Sequence, residues 1–253
     1  PLIKVSLARY ERSKPLLNHV AARVERENLL RCARIFLMEE EDYCRENRPL
    51  YFEAAAGMES AGTGNLIDSP EAVCIELPGG ERIRIRGRID RLDETGAPGS
   101  GVFSVVDYKT GSTYSFEAGD PFNGGRRVQH CLYLAVAERL LARAHPGARV
   151  VSFQYYFPST REHGERIAWE AEELRDGLRI LACLREMAAS GCFPFTDDAD
   201  DVKFSDYLPA FGNVGAMAER CKSRLEGPGN LSLDPLRRLR GYGRIENKGG
   251  RDG

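Results

Sequence analysis

Two aspartates and a lysine near the middle of the chain have the types and spacing for metal-assisted chemistry. Within Ile83–Gly111, Asp90 ends one apolar-rich segment, Asp107 and Lys109 end another, and a Gly/Pro-rich run lies between. Successive side chains on a strand alternate faces, so Asp107 and Lys109 share a face and Tyr108 points the other way. If the two segments pair through Gly96–Gly101, Asp90 and Asp107 converge near one end of a sheet. Carboxylate oxygens are hard ligands suited to Mg²⁺ or Mn²⁺, which keep waters and take further ligands from a substrate phosphate. Lys109 beside such an ion could orient an attacking water and offset charge building on the phosphate. The same spacing also fits two strands with one exposed Asp each and a surface Lys–Asp pair, because D-x-K is short and common.

The flanking segments must position these residues. Ala72–Glu76 and Glu81–Asp90 read as a hairpin closed by Pro78-Gly79-Gly80. Its second arm sets Arg82, Arg84, Arg86 and Arg88 on one face and Ile83, Ile85 and Ile89 on the other. That pattern fits a half-buried strand with a solvated basic face, and equally a basic strip that holds phosphates. Asp90 is expected to face inward, where a carboxylate must be paired or coordinate something. Ser104–Val106 suits a central strand, apolar on both faces. Residues 112–126 form a polar loop. Arg127–Ala144 follows as an amphipathic helix with Gln129 and Tyr133 one turn apart on one face. His130 reads as a surface residue of that helix. A strand at Arg149–Phe157, a partner at Arg166–Trp169 and a helix at Glu170–Ser190 complete a βαβ-like series.

Upstream, apolar residues at three-to-four spacing predict a helix from Pro15 to Arg45, ended by Asn47-Arg48-Pro49. Its run Glu39-Glu40-Glu41-Asp42 reads as a solvated face. Tyr51–Ala56 is a short strand, and Glu53 within it is expected to be structural more than chemical. Residues 1–14 suggest no element. Residues 226–253 read as a poorly ordered basic, Gly-rich end, or else as an arm that touches phosphates.

Composition limits the classes. The chain has 253 residues, 42% hydrophobic and 29% charged, which suits a globular protein with a substantial core. The net charge of −2 means that a nucleic acid would have to be met by locally gathered basic residues. The seven cysteines are scattered, with no C-x-x-C pair, so neither a disulfide framework nor a zinc site is indicated. No apolar run approaches the ~20 residues of a membrane span and no secretory signal is visible, so a cytoplasmic protein is expected. The start at Pro1 rather than Met suggests a piece of something longer.

Three ordered motifs carry a resemblance. Gly87-Arg88-Ile89-Asp90-Arg91-Leu92-Asp93, then Val106-Asp107-Tyr108-Lys109-Thr110-Gly111, then Gln129 with Tyr133, resemble the PD-(D/E)xK nuclease superfamily. Within it they resemble the RecB-type branch, the nuclease domains attached to helicase–nuclease proteins such as AddB. The match runs from about Glu53 to Tyr133 and continues more weakly to about Gly212. The resemblance implies an α/β fold with a restriction-endonuclease-like core, a central mixed sheet flanked by helices. That core is expected over residues 51–190, with a helical extension at 1–50 and a C-terminal extension and basic tail at 191–253. It implies a Mg²⁺- or Mn²⁺-dependent DNA nuclease, an exonuclease of recombination or repair, joined to a helicase domain or subunit. Asp90, Asp107 and the main-chain carbonyl of Tyr108 would hold metal, Lys109 would support the nucleophile, and Gln129 would position Lys109 or a metal-bound water. Tyr133, Arg86, Arg88 and Arg127 would meet the DNA. The alternative is a non-catalytic DNA-binding or scaffolding module that keeps the fold. Relatives of the AddB type often carry a C-x-x-C-x5-C run for an iron–sulphur cluster. Val202, Ser205 and Phe211 occupy those positions here. Val and Phe offer no ligand atoms, so no cluster is expected and Val202 and Phe211 should pack instead.

Overall fold

Strand β5 (Val102–Tyr108) is buried from Phe103 through Asp107. A strand covered on both faces belongs in the middle of a sheet, and that is where it lies in the computed structural model, which describes residues 2–13, 18–60, 64–116, 119–227 and 229–242. Five strands make up the sheet. In spatial order they are β1 (Asn47–Ala56), β4 (Gly87–Thr95), β5, β6 (Arg149–Phe157) and β7 (Glu165–Glu170). β1 pairs antiparallel with β4, and β4 pairs antiparallel with β5. β6 runs parallel to β5, and β7 is antiparallel to β6. A parallel pair needs a long crossover. Helix α3 (Gln129–Leu141) lies in that connection, and its Leu134, Val136, Ala137, Leu140 and Leu141 are buried. The result is a mixed sheet with helices, the α/β restriction-endonuclease-like architecture.

β4 differs from the expected strand at both ends. The basic arm breaks at Arg86: β3 (Arg82–Ile85) pairs with β2 (Val73–Glu76) in a separate two-stranded sheet, and β4 starts at Gly87. β4 then runs past Asp90 to Thr95. The acids in that stretch are accommodated by partners. Asp93 pairs with Arg91, while Glu94 accepts from the Gly99 amide and pairs with Arg48.

Helix α2 (His19–Tyr43) is capped by Asn18, whose side chain accepts from the amides of Val20 and Ala21. The proposed start at Pro15 lies outside the described residues. Asn47-Arg48-Pro49 belongs to β1 rather than to a helix-ending turn, and the register shifts between Pro49 and Tyr51. Proline has no amide to give a ladder, so a strand tolerates it beside such an irregularity. Leu2–Ser13, a stretch with no element expected, forms helix α1. The helix expected from Glu170 instead begins at Gly177, after β7 has reached Glu170.

The chain divides into two compact units. The first, Pro1–Ile75, Ile83–Pro121 and Gln129–Arg175, holds the five-stranded sheet. The second comprises Glu76–Arg82, Phe122–Val128 and Asp176–Gly253. In it, α4 (Gly177–Ala189), the single turn α5 (Leu208–Phe211), α6 (Val214–Glu226) and α7 (Asp234–Arg240) accompany a small core of Cys221, Leu225, Leu233 and Leu236. Residues 229–242 are therefore not a loose tail. The Arg237 guanidinium donates to the carbonyls of Leu225, Arg224, Gly227 and Asn230, tying α7 to the end of α6. Residues 243–253, which include Arg244 and Lys248 of the basic end, lie outside the described residues. Phe211 packs edge-on against Phe195, with 5.4 Å between ring centroids. All seven cysteines are free thiols. Among the described residues no helix is long and apolar enough to cross a membrane.

Candidate active site

β4 and β5 bring Asp90 and Asp107 to one neighbourhood. Asp90 is half-buried, and its Oδ2 accepts from the Tyr108 backbone amide at 2.9 Å. It does not face inward with Ile89. It has the parity of Arg88, and its carboxylate reaches across to the end of β5. Asp107 is only 3% exposed. Its Oδ2 lies 2.7 Å from the Lys109 ammonium as a close charge contact, without an aligned hydrogen bond. Burial pushes the Asp107 carboxyl above the usual carboxylate range. Lys109 pulls it back down, and the Asp90 charge adds to the rise.

Lys109 is held from two further sides. Its Nζ donates to Gln129 Oε1 at 3.0 Å and stands 4.9 Å from the centre of the Tyr155 ring. Gln129 Nε2 in turn donates to the Tyr133 hydroxyl at 2.9 Å, as the one-turn spacing on α3 allows. Asp107, Lys109, Gln129 and Tyr133 thus form one polar chain. Burial raises the Tyr133 phenol, and the charges of Asp107, Asp90 and Glu53 raise it further, while the Gln129 bond acts in the opposite sense.

Glu53 therefore lies within electrostatic reach of this group. The register pairs Phe52 with Arg91 and Ala54 with Ile89, which sets Glu53 across from Asp90. Its φ of 52° is in the left-handed region that a side chain rarely adopts inside a strand. The residue is exposed, and among the described residues no hydrogen bond or ion pair holds its carboxylate. Strain of this kind, at a cost of order 1–3 kcal/mol, concentrates at functional sites. Residue type alone favours a structural role for Glu53, because a backbone angle leaves no trace in it.

The basic residues differ in exposure and in partners. Arg86 is exposed. Its Cγ would lie 2.6 Å from a Cβ placed on Gly57, which explains the glycine there. Arg88 is half-buried and donates to the Glu59 carbonyl at 2.9 Å, so part of its guanidinium fastens the loop after β1. Arg127 belongs to the Phe122–Val128 stretch of the second unit, where its amide donates to the Phe122 carbonyl.

Two expectations are corrected. His130 is fully buried rather than on the surface of α3, and its ring stacks on Trp169 at 5.5 Å. Glu40 does not belong to a solvated face. It is buried and pairs with Arg91 at 2.7 Å and Arg166 at 2.6 Å. Arg91 is 1% exposed, grips Asp93 with two nitrogens at 2.6 and 2.8 Å, and donates to the Tyr108 hydroxyl at 2.9 Å. Arg166 lies over the rings of Tyr43 and Tyr156. This network anchors the side chain of Tyr108, the residue between Asp107 and Lys109.

Among the described residues no three His, Cys, Asp or Glu side chains gather closely enough to enclose a metal by themselves. The donor set, two carboxylates and a main-chain carbonyl, fits a hard divalent ion that keeps waters and open positions. The buried Asp107 oxygen without an aligned hydrogen bond fits such an ion as well.

A family model described as the PD-(D/E)XK nuclease superfamily matches residues 4–207. Among curated proteins, the chain is 35% identical over 137 residues to an ATP-dependent helicase/deoxyribonuclease subunit of Symbiobacterium thermophilum, covering 51% of this chain and 11% of that protein. It is 29% identical over 140 residues to the protein of the same name from Clostridium perfringens, covering 53% and 11%. With that of Alkaliphilus oremlandii it shares 34% over 80 residues, covering 30% and 7%. The chain thus spans about 11% of the length of the first two relatives.

Proposed function

The chain belongs to the PD-(D/E)XK nuclease superfamily, and on that premise we propose that it hydrolyses phosphodiester bonds in DNA as the nuclease module of a helicase–nuclease. The relatives named as helicase/deoxyribonuclease subunits support the choice of DNA and of a helicase partner. In this reading the enzyme is an exonuclease of recombination or repair, works in the cytoplasm and depends on Mg²⁺ or Mn²⁺. Asp90, Asp107 and the Tyr108 carbonyl would hold the ion, with Glu53 added as a fourth contributor, directly or through water. When bound, the ion supplies a water of lowered pKa and screens charge on the phosphate.

The protein's own residues do the rest. Lys109, fixed between Asp107 and Gln129, orients the attacking water and meets the charge that builds on the phosphate oxygens. Gln129 keeps the ammonium from turning away. Tyr133, Arg86, Arg88 and Arg127 approach the DNA backbone, so salt sensitivity should be strong and sequence preference slight. The Asp107–Lys109 pair carries this reading. A buried carboxylate with one charge contact is poorly provided for unless a further cation joins it.

The test is digestion of linear single- and double-stranded DNA with Mg²⁺, Mn²⁺ or EDTA, alongside Mn²⁺ binding followed by electron paramagnetic resonance. Cleavage that needs metal and falls sharply in Asp107→Ala and Lys109→Ala is expected. Mn²⁺ binding should be lost in Asp107→Ala and retained in Lys109→Ala. DNA binding without cleavage in either metal would instead identify a non-catalytic module.

A further inference from the structure

The second unit carries a cavity of about 360 Å³ between the extended segment after α4 and the face of α6. That volume is within the range of small-ligand sites. Its base is rigid. Phe195 packs edge-on against Phe211, and Cys221 Sγ donates to the Phe195 carbonyl at 2.8 Å. Phe193, which also lines the cavity, is 79% exposed. Such an aromatic ring beside a packed base is a surface on which another planar group can stack.

Arg220 and Arg224 line the same cavity, one turn apart on α6. Elsewhere in this unit Arg126, Arg237, Arg238 and Arg240 each pair with acids. Among the described residues Arg220 and Arg224 have no acidic partner, and the Arg220 Nε donates only to the Ala216 carbonyl of its own helix. A ring open for stacking and two guanidiniums left uncommitted suit a ligand that is planar and anionic together.

We propose that this cavity binds a nucleotide of single-stranded DNA, its base stacked on Phe193 and its flanking phosphates met by Arg220 and Arg224. The choice of ligand rests on the DNA-nuclease reading. The chemistry of the cavity, aromatic stacking plus phosphate charge, is that of sequence-tolerant single-strand binding.

The test is fluorescence anisotropy of a labelled oligothymidylate with the full chain in EDTA, where nothing is cut. Phe193→Ala should weaken binding about 10-fold with the salt slope unchanged, and Phe193→Tyr should restore it. Arg220→Ala/Arg224→Ala should weaken binding and lower the salt slope by about 1.4, and the double lysine variant should regain that slope. An oligomer with abasic sites should bind the wild type about as weakly as oligothymidylate binds Phe193→Ala. Wild-type affinity and slope in both alanine variants would overturn the proposal, as would equal binding of the abasic oligomer. Because this assay needs no catalysis, failure here leaves metal-dependent cleavage standing. Absence of cleavage would equally leave the stacking result intact.

Discussion

Strands β4 and β5 support two clusters of charge, one around Arg91 and one around Asp107, and the two are provisioned differently. Every charged member of the Arg91 cluster is paired: Arg91 with Asp93 and Glu40, and Glu40 with Arg166. In the Asp107 cluster, one buried carboxylate has one ammonium, Asp90 accepts one backbone amide, and Glu53 has nothing among the described residues. Buried charge is tolerated when its partners are complete, and incompleteness is costly. The first cluster therefore reads as structure, and the second is the one to which the proposed function assigns the chemistry.

The largest test of that contrast removes a partner from the complete cluster. Arg91→Met leaves Glu40 and Asp93 buried together, and unfolding stability should fall by about 3–5 kcal/mol. Chemical denaturation measures this, and any loss of cleavage should track loss of folded protein. Next, Asp107→Asn and Lys109→Ala should lower cleavage by about 10²–10³-fold. The melting temperature should stay level or rise for Asp107→Asn, while Lys109→Ala, which leaves the buried Asp107 without its ammonium, should lower it. A large drop in melting temperature for Asp107→Asn would break the contrast.

A smaller test uses pH in metal-free buffer. Burial tends to raise the Asp68 carboxyl, but bonds from the Ala55 amide, Ser60 and Asn65 outweigh it and hold the group below its ordinary range. Asp68 therefore stabilises the fold above the ordinary carboxylate pKa, and this is lost as pH falls through the lower native value. Asp68→Ala should cost about 1–2 kcal/mol at neutral pH and progressively less in acid. Asp107, whose carboxyl is raised, has the opposite sign. Its burden is absent below the ordinary carboxylate pKa and grows as pH rises through the raised native value. The stability of Asp107→Asn relative to wild type should therefore increase with pH over that window. Denaturation series at several pH values separate the two. The smallest effect is Glu53→Gly, which relieves the left-handed backbone and should stabilise by about 1 kcal/mol while weakening Mn²⁺ binding.

Much of the site is legible in the sequence because its parts are close along the chain. Asp107 and Lys109 sit at a strand spacing, Gln129 and Tyr133 at a helix spacing, and a Gly/Pro-rich turn joins β4 to β5. What escapes depends on distant partners. Glu40 sits in an acidic run like any solvated face, and nothing local announces Arg91 or Arg166. His130 has polar and apolar neighbours on α3, and its burial is decided by Trp169 on β7. The end of the basic arm at Arg86 follows from β4 joining another sheet. The inward turn expected of Asp90 fails because strand alternation assigns it the side of Arg88.

The turn at Gly96–Gly101 also governs the order in which the site can assemble. Only residues 91–106 separate Asp90 from Asp107, so a short antiparallel hairpin suffices to unite them. Closing a short loop carries little entropic cost and a hairpin forms in microseconds. Gln129 must wait for α3 and for the slower parallel pairing of β6. During refolding, pulse-labelled hydrogen exchange should find the amides of β4 and β5 protected before those of β6. A chain emerging from the ribosome would then bring its acids together while the group that steadies Lys109 was still unformed.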